Sequence, residues 1–137
     1  MSRCHFEADN RPRIWIQAPE LRSGAFSALV DTGYDGTVLL PLDWNPSSGL
    51  QQQGEINSVV GGSRPVIIAS TTIFFDGTSI HLPCVFASDV DHAVVGILFL
   101  EAIQRTLVLY KLSDQRPVAV LVQTHPFLQQ LQRLGEI

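Results

Sequence analysis

The residues best able to do chemistry lie in one short stretch, "SALVDTGYDGTVLLP", running from Ser27 to Pro41. An apolar run ends in a carboxylate, Asp31, turns through Thr32 and Gly33, and then resumes as a second apolar run. A carboxylate at the end of a buried strand is partly desolvated, which suits it to general acid or base work. Thr32 can fix the local backbone through its hydroxyl. Gly33 lets the chain turn tightly and brings backbone donors close to the carboxylate. Asp-Thr-Gly is also ordinary turn chemistry, so the tripeptide taken alone reads better as a plain turn than as a site.

Other chemistries find weaker support. Cys4-His5 and the pair His81 and Cys84 invite a zinc reading. Residues three apart on a strand point to opposite faces, so His81 and Cys84 diverge if "SIHLPCVF" is extended, and no metal site is expected. Asp89 and Asp91 alternate as calcium ligands do, but read better as a solvated loop. The sequence holds no Gly-x-Ser-x-Gly elbow and no phosphate-binding Gly-Lys-Ser/Thr, and Cys84 reads as a small buried hydrophobe. No cofactor is expected.

The elements that must position Asp31 are strands. Short apolar segments rich in Val, Ile, Leu, Phe and Thr are separated by Gly, Pro, Asn, Asp and Ser, the punctuation of an all-β chain. The pattern predicts strands near 13–18, 24–30, 37–40, 55–60, 65–75, 79–87, 93–95, 106–112 and 117–123. Asp76-Gly77 fits a tight hairpin turn. "VVGGSRP", Val59 to Pro65, sets two glycines between strand-like runs, giving a hairpin whose tip can close over something. The stretch from Leu42 to Gly54 reads as a loop with at most a short helical turn. Helix is predicted over Ile97 to Gln104, after Gly96. A second, amphipathic helix follows Pro126, with Phe127, Leu128, Leu131 and Leu134 on its apolar face and Gly135 as its stop.

The chain has 137 residues, 45% of them hydrophobic and 16% charged, a size and composition that suit one globular domain. No apolar window is long enough for a membrane span, so no membrane partner is expected. A net charge of −4 without a Lys/Arg cluster argues against nucleic acid. The first residues lack the apolar core of a signal peptide, which makes the cytoplasm the expected location and two free thiols the expected state of Cys4 and Cys84.

A second feature gives Asp31 a context. Val94-Val95-Gly96 repeats the apolar-apolar pattern of Leu29-Val30 and leads directly into the predicted internal helix. In that order, apolar-apolar-Asp-Thr-Gly, a glycine-tipped hairpin and apolar-apolar-Gly before a helix, the chain resembles the retropepsin-like aspartic proteases, the small prokaryotic members especially. The likeness runs from about Ile14 to Val122. It implies an all-β fold: a closed β-barrel of the retroviral acid protease type with one short internal helix and a C-terminal helix. A single domain would span 1–137, with its core at about 13–123 and a C-terminal extension at 124–137. It further implies Asp31 as the catalytic aspartate, Thr32 and Gly33 as its loop, and Asp35 as a contact to the substrate backbone. Val59, Val60, Gly61 and Gly62 take the place of the flap, and Leu39, Val60 and Val95 line pockets for hydrophobic side chains. Retroviral members usually carry Arg where this chain has Ile97, so an ion pair with Asp35 made in that way is absent.

Peptide hydrolysis of this kind needs two carboxylates facing one water and sharing one proton. No other Asp in the chain precedes Thr-Gly or Ser-Gly. A two-fold homodimer supplies the second copy of Asp31, so the resemblance implies an aspartic endopeptidase active as a homodimer on a peptide or protein substrate. The apolar strand Pro117 to Gln123 is a candidate for the interface. The alternative is a catalytically weak or inactive module of the same fold that dimerises or binds peptides, a reading motivated by Ile97 and by a flap region without the "ADG"-like stretch common in prokaryotic relatives.

Overall fold

Alternation of burial along the strands sets which face of each meets the interior. Ile14 and Ile16 are buried while Trp15 and Gln17 between and beyond them face water, the period-2 pattern of a half-covered strand. The computed structural model describes residues 1–46, 51–58, 62–111 and 117–135. In chain order the elements are β1 (Ser2–Arg3), β2 (His5–Phe6), β3 (Pro12–Gln17), β4 (Ala25–Val30), β5 (Val38–Pro41), a 3₁₀ turn (Leu42–Trp44), β6 (Gln52–Ser58) and β7 (Gly62–Phe75). They continue with β8 (Thr78–Ala87), β9 (Ala93–Val95), α1 (Ile97–Ala102), β10 (Arg105–Tyr110), β11 (Val118–Gln123) and α2 (Thr124–Arg133).

Eight strands form one sheet in the order β2-β3-β4-β9-β5-β8-β7-β6, and one further pair, Gln17 opposite Phe74, joins β7 back to β3. The remaining three form a sheet in the order β1-β11-β10. Most of this follows the sequence pattern. The β7–β8 hairpin turns at Asp76 and Gly77, with φ of 47° and 76°, as the Asp-Gly pair predicts.

Four differences stand out. The two short N-terminal strands have no apolar run to announce them and exist through their partners: Ser2 pairs with Leu121, and His5 with Arg13. β6 begins at Gln52, inside the stretch read as loop, because the register with β7 carries the ladder on to Ile68. β11 is the middle strand of its sheet, flanked by β1 and β10, so its backbone groups pair within the chain. α1 stops at Ala102, and Gln104 beyond it adopts a positive φ of 56°. α2 packs against β10 and β11 with Phe127 and Leu131 half-buried, while Leu128 and Leu134 remain exposed. Val59, Val60 and Gly61 lie outside the described residues. Among the described residues no helix is long and apolar enough to cross a membrane.

The interior divides in two. The larger cluster includes Ile14, Val30, Val38, Leu40, Ile73, Phe86, Val95, Phe99 and Leu121. The smaller joins Leu29, Leu39, Val66, Ala87 and Val94, with Tyr34, Ile56, Ile68, Val85 and Val90 packed against it. Consecutive residues of β4, β5 and β9 go to opposite clusters, so these three strands are covered on both faces. Full burial of each such aliphatic side chain contributes about 1.5–3 kcal/mol.

Candidate functional site

β4 delivers Asp31 into a loop tied down from a distant part of the chain. β9 lies between β4 and β5, parallel to the first and antiparallel to the second, with Val95 opposite both Val30 and Val38. The ladder continues one step past β4: the Asp31 amide donates to the Val95 carbonyl at 3.0 Å. The chain then turns, with Tyr34 N donating to Asp31 O at 3.1 Å and Gly33 N to Asp31 Oδ1 at 2.9 Å. Gly33 thus supplies the backbone donor to the carboxylate that its position suggests.

Three further bonds close the loop from the other side. Gly96 N donates to Thr37 O at 2.8 Å, Ile97 N to Tyr34 O at 2.9 Å, and Leu98 N to Gly36 O at 3.1 Å. Gly96 has no side chain for a steric reason. A Cβ there would stand 2.5 Å from Tyr34 O and 2.6 Å from Tyr34 Cδ2, and would run into Gly36 O as well. Thr37 Oγ1 adds a bond of 2.5 Å to the Pro83 carbonyl of β8.

Asp31 is half-buried, while Thr32, Gly33 and Asp35 are exposed. Asp31 and Leu29 share a face of the extended chain, the face of the smaller cluster. Ile56, Val66 and Ile68 of β6 and β7 belong to that cluster, so the β6–β7 hairpin packs onto the same side as the carboxylate. Gly62 opens β7 with a φ of 69°, a backbone conformation that glycine adopts freely. Asp35 enters no ion pair among the described residues, and Ile97 beside it is 46% exposed.

One sequence-derived contact needs correction. The Val95 side chain is fully buried in the larger cluster, on the far side of β9 from the hairpin, and cannot line a pocket over Asp31. Its contribution is the carbonyl that accepts from Asp31. Val94, its neighbour, faces the hairpin side with Leu29 and Leu39. Tyr34 is a second residue the sequence reading passed over. Burial, then the Asp35 carboxylate, push its hydroxyl above the usual tyrosine range, and its ring lies against Gly96. The only signal was an aromatic directly after Asp-Thr-Gly.

Beside Leu29 lies a polar recess of about 240 Å³, bordered by Glu7, Arg13, Ser27, Asp91 and His92. Arg13 holds Asp9 through two bonds of 2.7 and 2.8 Å and stands 3.8 Å from Glu7. His81 is exposed and Cys84 buried on β8, so the two diverge as alternation requires. Among the described residues no group of three or more His, Cys, Asp or Glu side chains gathers to hold a metal ion. The arrangement offers one carboxylate with a backbone N–H donor, on the side of the sheet where the β6–β7 hairpin packs, in each chain.

Neither a family model nor a curated protein matches the sequence. Among solved structures the chain is similar to EIAV protease complexed with the inhibitor HBY-793, with a TM-score of 0.60 and 23% identity. The match covers 76% of this chain and 98% of that one. The fold is therefore retropepsin-like.

Proposed function

We propose that the chain is an aspartic endopeptidase active as a homodimer, with Asp31 of one protomer and Asp31 of its partner activating one water between them. The observation that carries this reading is the brace around Asp31: its amide on Val95 O, its carboxylate on Gly33 N, and its loop bonded to Gly96, Ile97 and Leu98. A surface turn needs no such anchoring from a strand and helix far along the chain. The retropepsin-like fold supports the same reading. The proposal takes in a barrel closed through Gln17 and Phe74, a peptide lying under the β6–β7 hairpin, Thr32 and Gly33 as the loop of the site, and Asp35 at the substrate backbone.

One chain brings one such carboxylate, so two chains must meet. In the pair a single proton is shared, because two like charges that close do not both ionise. One carboxylate takes the proton of the water as it attacks the peptide carbonyl. Its protonated mate donates to the carbonyl oxygen.

Asp35, without an ion pair among the described residues, and Ile97 at the exposed start of α1 favour a second reading, a dimerising or peptide-binding module with little hydrolysis. Incubating the purified chain and its Asp31→Asn variant with a diverse peptide library separates the two. The enzymatic reading expects cuts that an aspartic-protease inhibitor blocks, that Asp31→Asn abolishes at least a thousandfold, and that track the dimer fraction in sedimentation. Dimers that cut nothing support the module. Cleavage that survives Asp31→Asn, or that climbs steadily into alkaline solution, refutes the shared proton.

A further inference from the structure

The inner face of the β6–β7 hairpin carries one charge. Side chains alternate along β7, so Arg64 shares a face with Val66 and Ile68, and the register sets Ile56 of β6 directly opposite Arg64. Ile56, Val66 and Ile68 pack with Leu29 and Val94, on the side of the sheet where Asp31 lies. Arg64 continues that face toward the start of β7, where its Nη1 meets Asp89 Oδ2 at 2.5 Å. Asp89 stands in the turn that follows β8, and its neighbour Val90 packs into the same apolar cluster. Among the described residues the buried guanidinium Nε has no hydrogen-bond partner, and Asp89 is the carboxylate that meets the Arg64 charge. Glu55, on the facing strand, accepts instead from Ser63 Oγ at 2.9 Å.

We propose that Arg64 and Asp89 are a positioning pair that holds the β6–β7 hairpin over Asp31, against the loop between β8 and β9. The role rests on the endopeptidase reading, since it concerns how a peptide is held at that carboxylate. Neither residue touches the reacting atoms. The pair joins the hairpin to the segment leading into β9, and hence to the strand that braces Asp31. Its side chains are 33% and 49% exposed, which places it among pairs that shift an equilibrium about two- to fivefold and weaken in salt. A tether of that strength holds the hairpin without locking it.

The test uses the full chain and compares wild type, Asp89→Asn, Arg64→Gln and the charge reversal Arg64→Asp with Asp89→Arg. Amide hydrogen exchange is followed across 52–58 and 62–68, with Thr71 to Phe75 as the internal reference, and KM and kcat are measured on a peptide that wild type cuts. The expected result is two- to fivefold faster exchange in the hairpin of each single variant, an unchanged reference, and restoration in the reversal. KM rises by a similar factor while kcat holds, and high salt reproduces both effects in wild type but adds nothing to Asp89→Asn. Hairpin exchange at the wild-type rate in Asp89→Asn, or faster exchange with an unchanged KM, overturns the proposal. Exchange needs no turnover, so a wild type that cuts nothing overturns the endopeptidase reading separately.

Discussion

Replacing Gly96 with alanine tests the brace around Asp31 directly. Gly96 has φ −106° and ψ −171°, extended backbone that any residue adopts, so the substitution carries no conformational penalty of its own. What it adds is one methyl group in a space already taken. The new Cβ meets Tyr34 O at 2.5 Å, Tyr34 Cδ2 at 2.6 Å and the Gly36 carbonyl closer still. A ring can swing away, but the two carbonyls are acceptors for Ile97 N and Leu98 N and move only if those bonds stretch. Overpacking of this kind costs about 1–3 kcal/mol. Losing one or both hydrogen bonds adds about 0.5–1.5 kcal/mol each, for a total of roughly 2–6 kcal/mol. Against a typical domain stability of about 5–15 kcal/mol, that is a large fraction. Gly77→Ala is the matching control: its φ of 76° strains an alanine by about 1–2 kcal/mol, yet its Cβ would meet nothing within 4 Å. Urea unfolding followed by Trp15 and Trp44 fluorescence reads both variants, with chain concentration held fixed because assembly shifts apparent stability. The expectation is that Gly96→Ala is the more damaging of the two and that it abolishes peptide cleavage. A Gly96→Ala variant within ~0.5 kcal/mol of wild type, below the threshold for a core or strain effect, refutes the brace as drawn.

Two further outcomes follow from the ionisable groups. The Arg13 guanidinium, bonded to Asp9, and to a lesser degree the Arg11 amide hold the Asp9 carboxyl well below the usual carboxylate range. A lowered native value means that the contribution to stability is present above the ordinary range and is lost as the solution is acidified through the native one. The midpoint difference between wild type and Asp9→Asn should therefore shrink from about pH 5 to about pH 2, modestly, since an exposed pair is screened; a constant difference contradicts it. Burial pushes the Cys4 thiol up to about 11 and the Cys84 thiol up to about 12. Native protein near pH 8 should accordingly react slowly with a thiol reagent and release both thiols only on unfolding, whereas rapid labelling of either one contradicts the burial.

How far the sequence announces this fold depends on how local each signal is. Asp76-Gly77 dictates its own turn through positive φ, and the apolar runs of β3, β4, β7, β8 and β9 are legible because burial on one or both faces leaves a pattern along a few residues. β1 and β2 carry no such pattern: they are strands only because β11 and β3 offer them partners. β6 starts within a glutamine-rich stretch for the same reason, its register taken from β7. At the candidate site Asp31, Gly33 and Gly96 could be picked out by type and order. Arg64 and Asp89 could not, because nothing local says that residues so far apart meet. Val95 was misplaced for a subtler cause: which of two adjacent valines faces the hairpin is fixed by strand parity, and parity needs a register that only the paired structure supplies.

That parity also explains why the two motifs have the form they do. β4 and β9 run in parallel with Val30 opposite Val95, so the next step along each strand brings Asp31 level with Gly96. Two apolar residues in succession are needed before that point because both faces of these strands are covered: Val30 and Val95 enter the larger cluster, Leu29 and Val94 the smaller. Asp31 then falls on the Leu29 side, toward the hairpin. A slip of one residue would turn it toward the larger cluster, where an unpartnered carboxylate costs several kcal/mol, roughly as much as a typical domain can spare. Glycine at the level position is equally forced, since the loop carrying Asp31 folds back across it and two of its carbonyls occupy the place of a side chain. The apolar-apolar-Asp and apolar-apolar-Gly signatures are thus two halves of one steric solution. Each is legible alone as a pattern, but the carboxylate takes its place only when the distant half arrives. Proteins that keep the first motif in this fold should therefore tolerate no side chain at the glycine of the second, whether or not they retain hydrolysis.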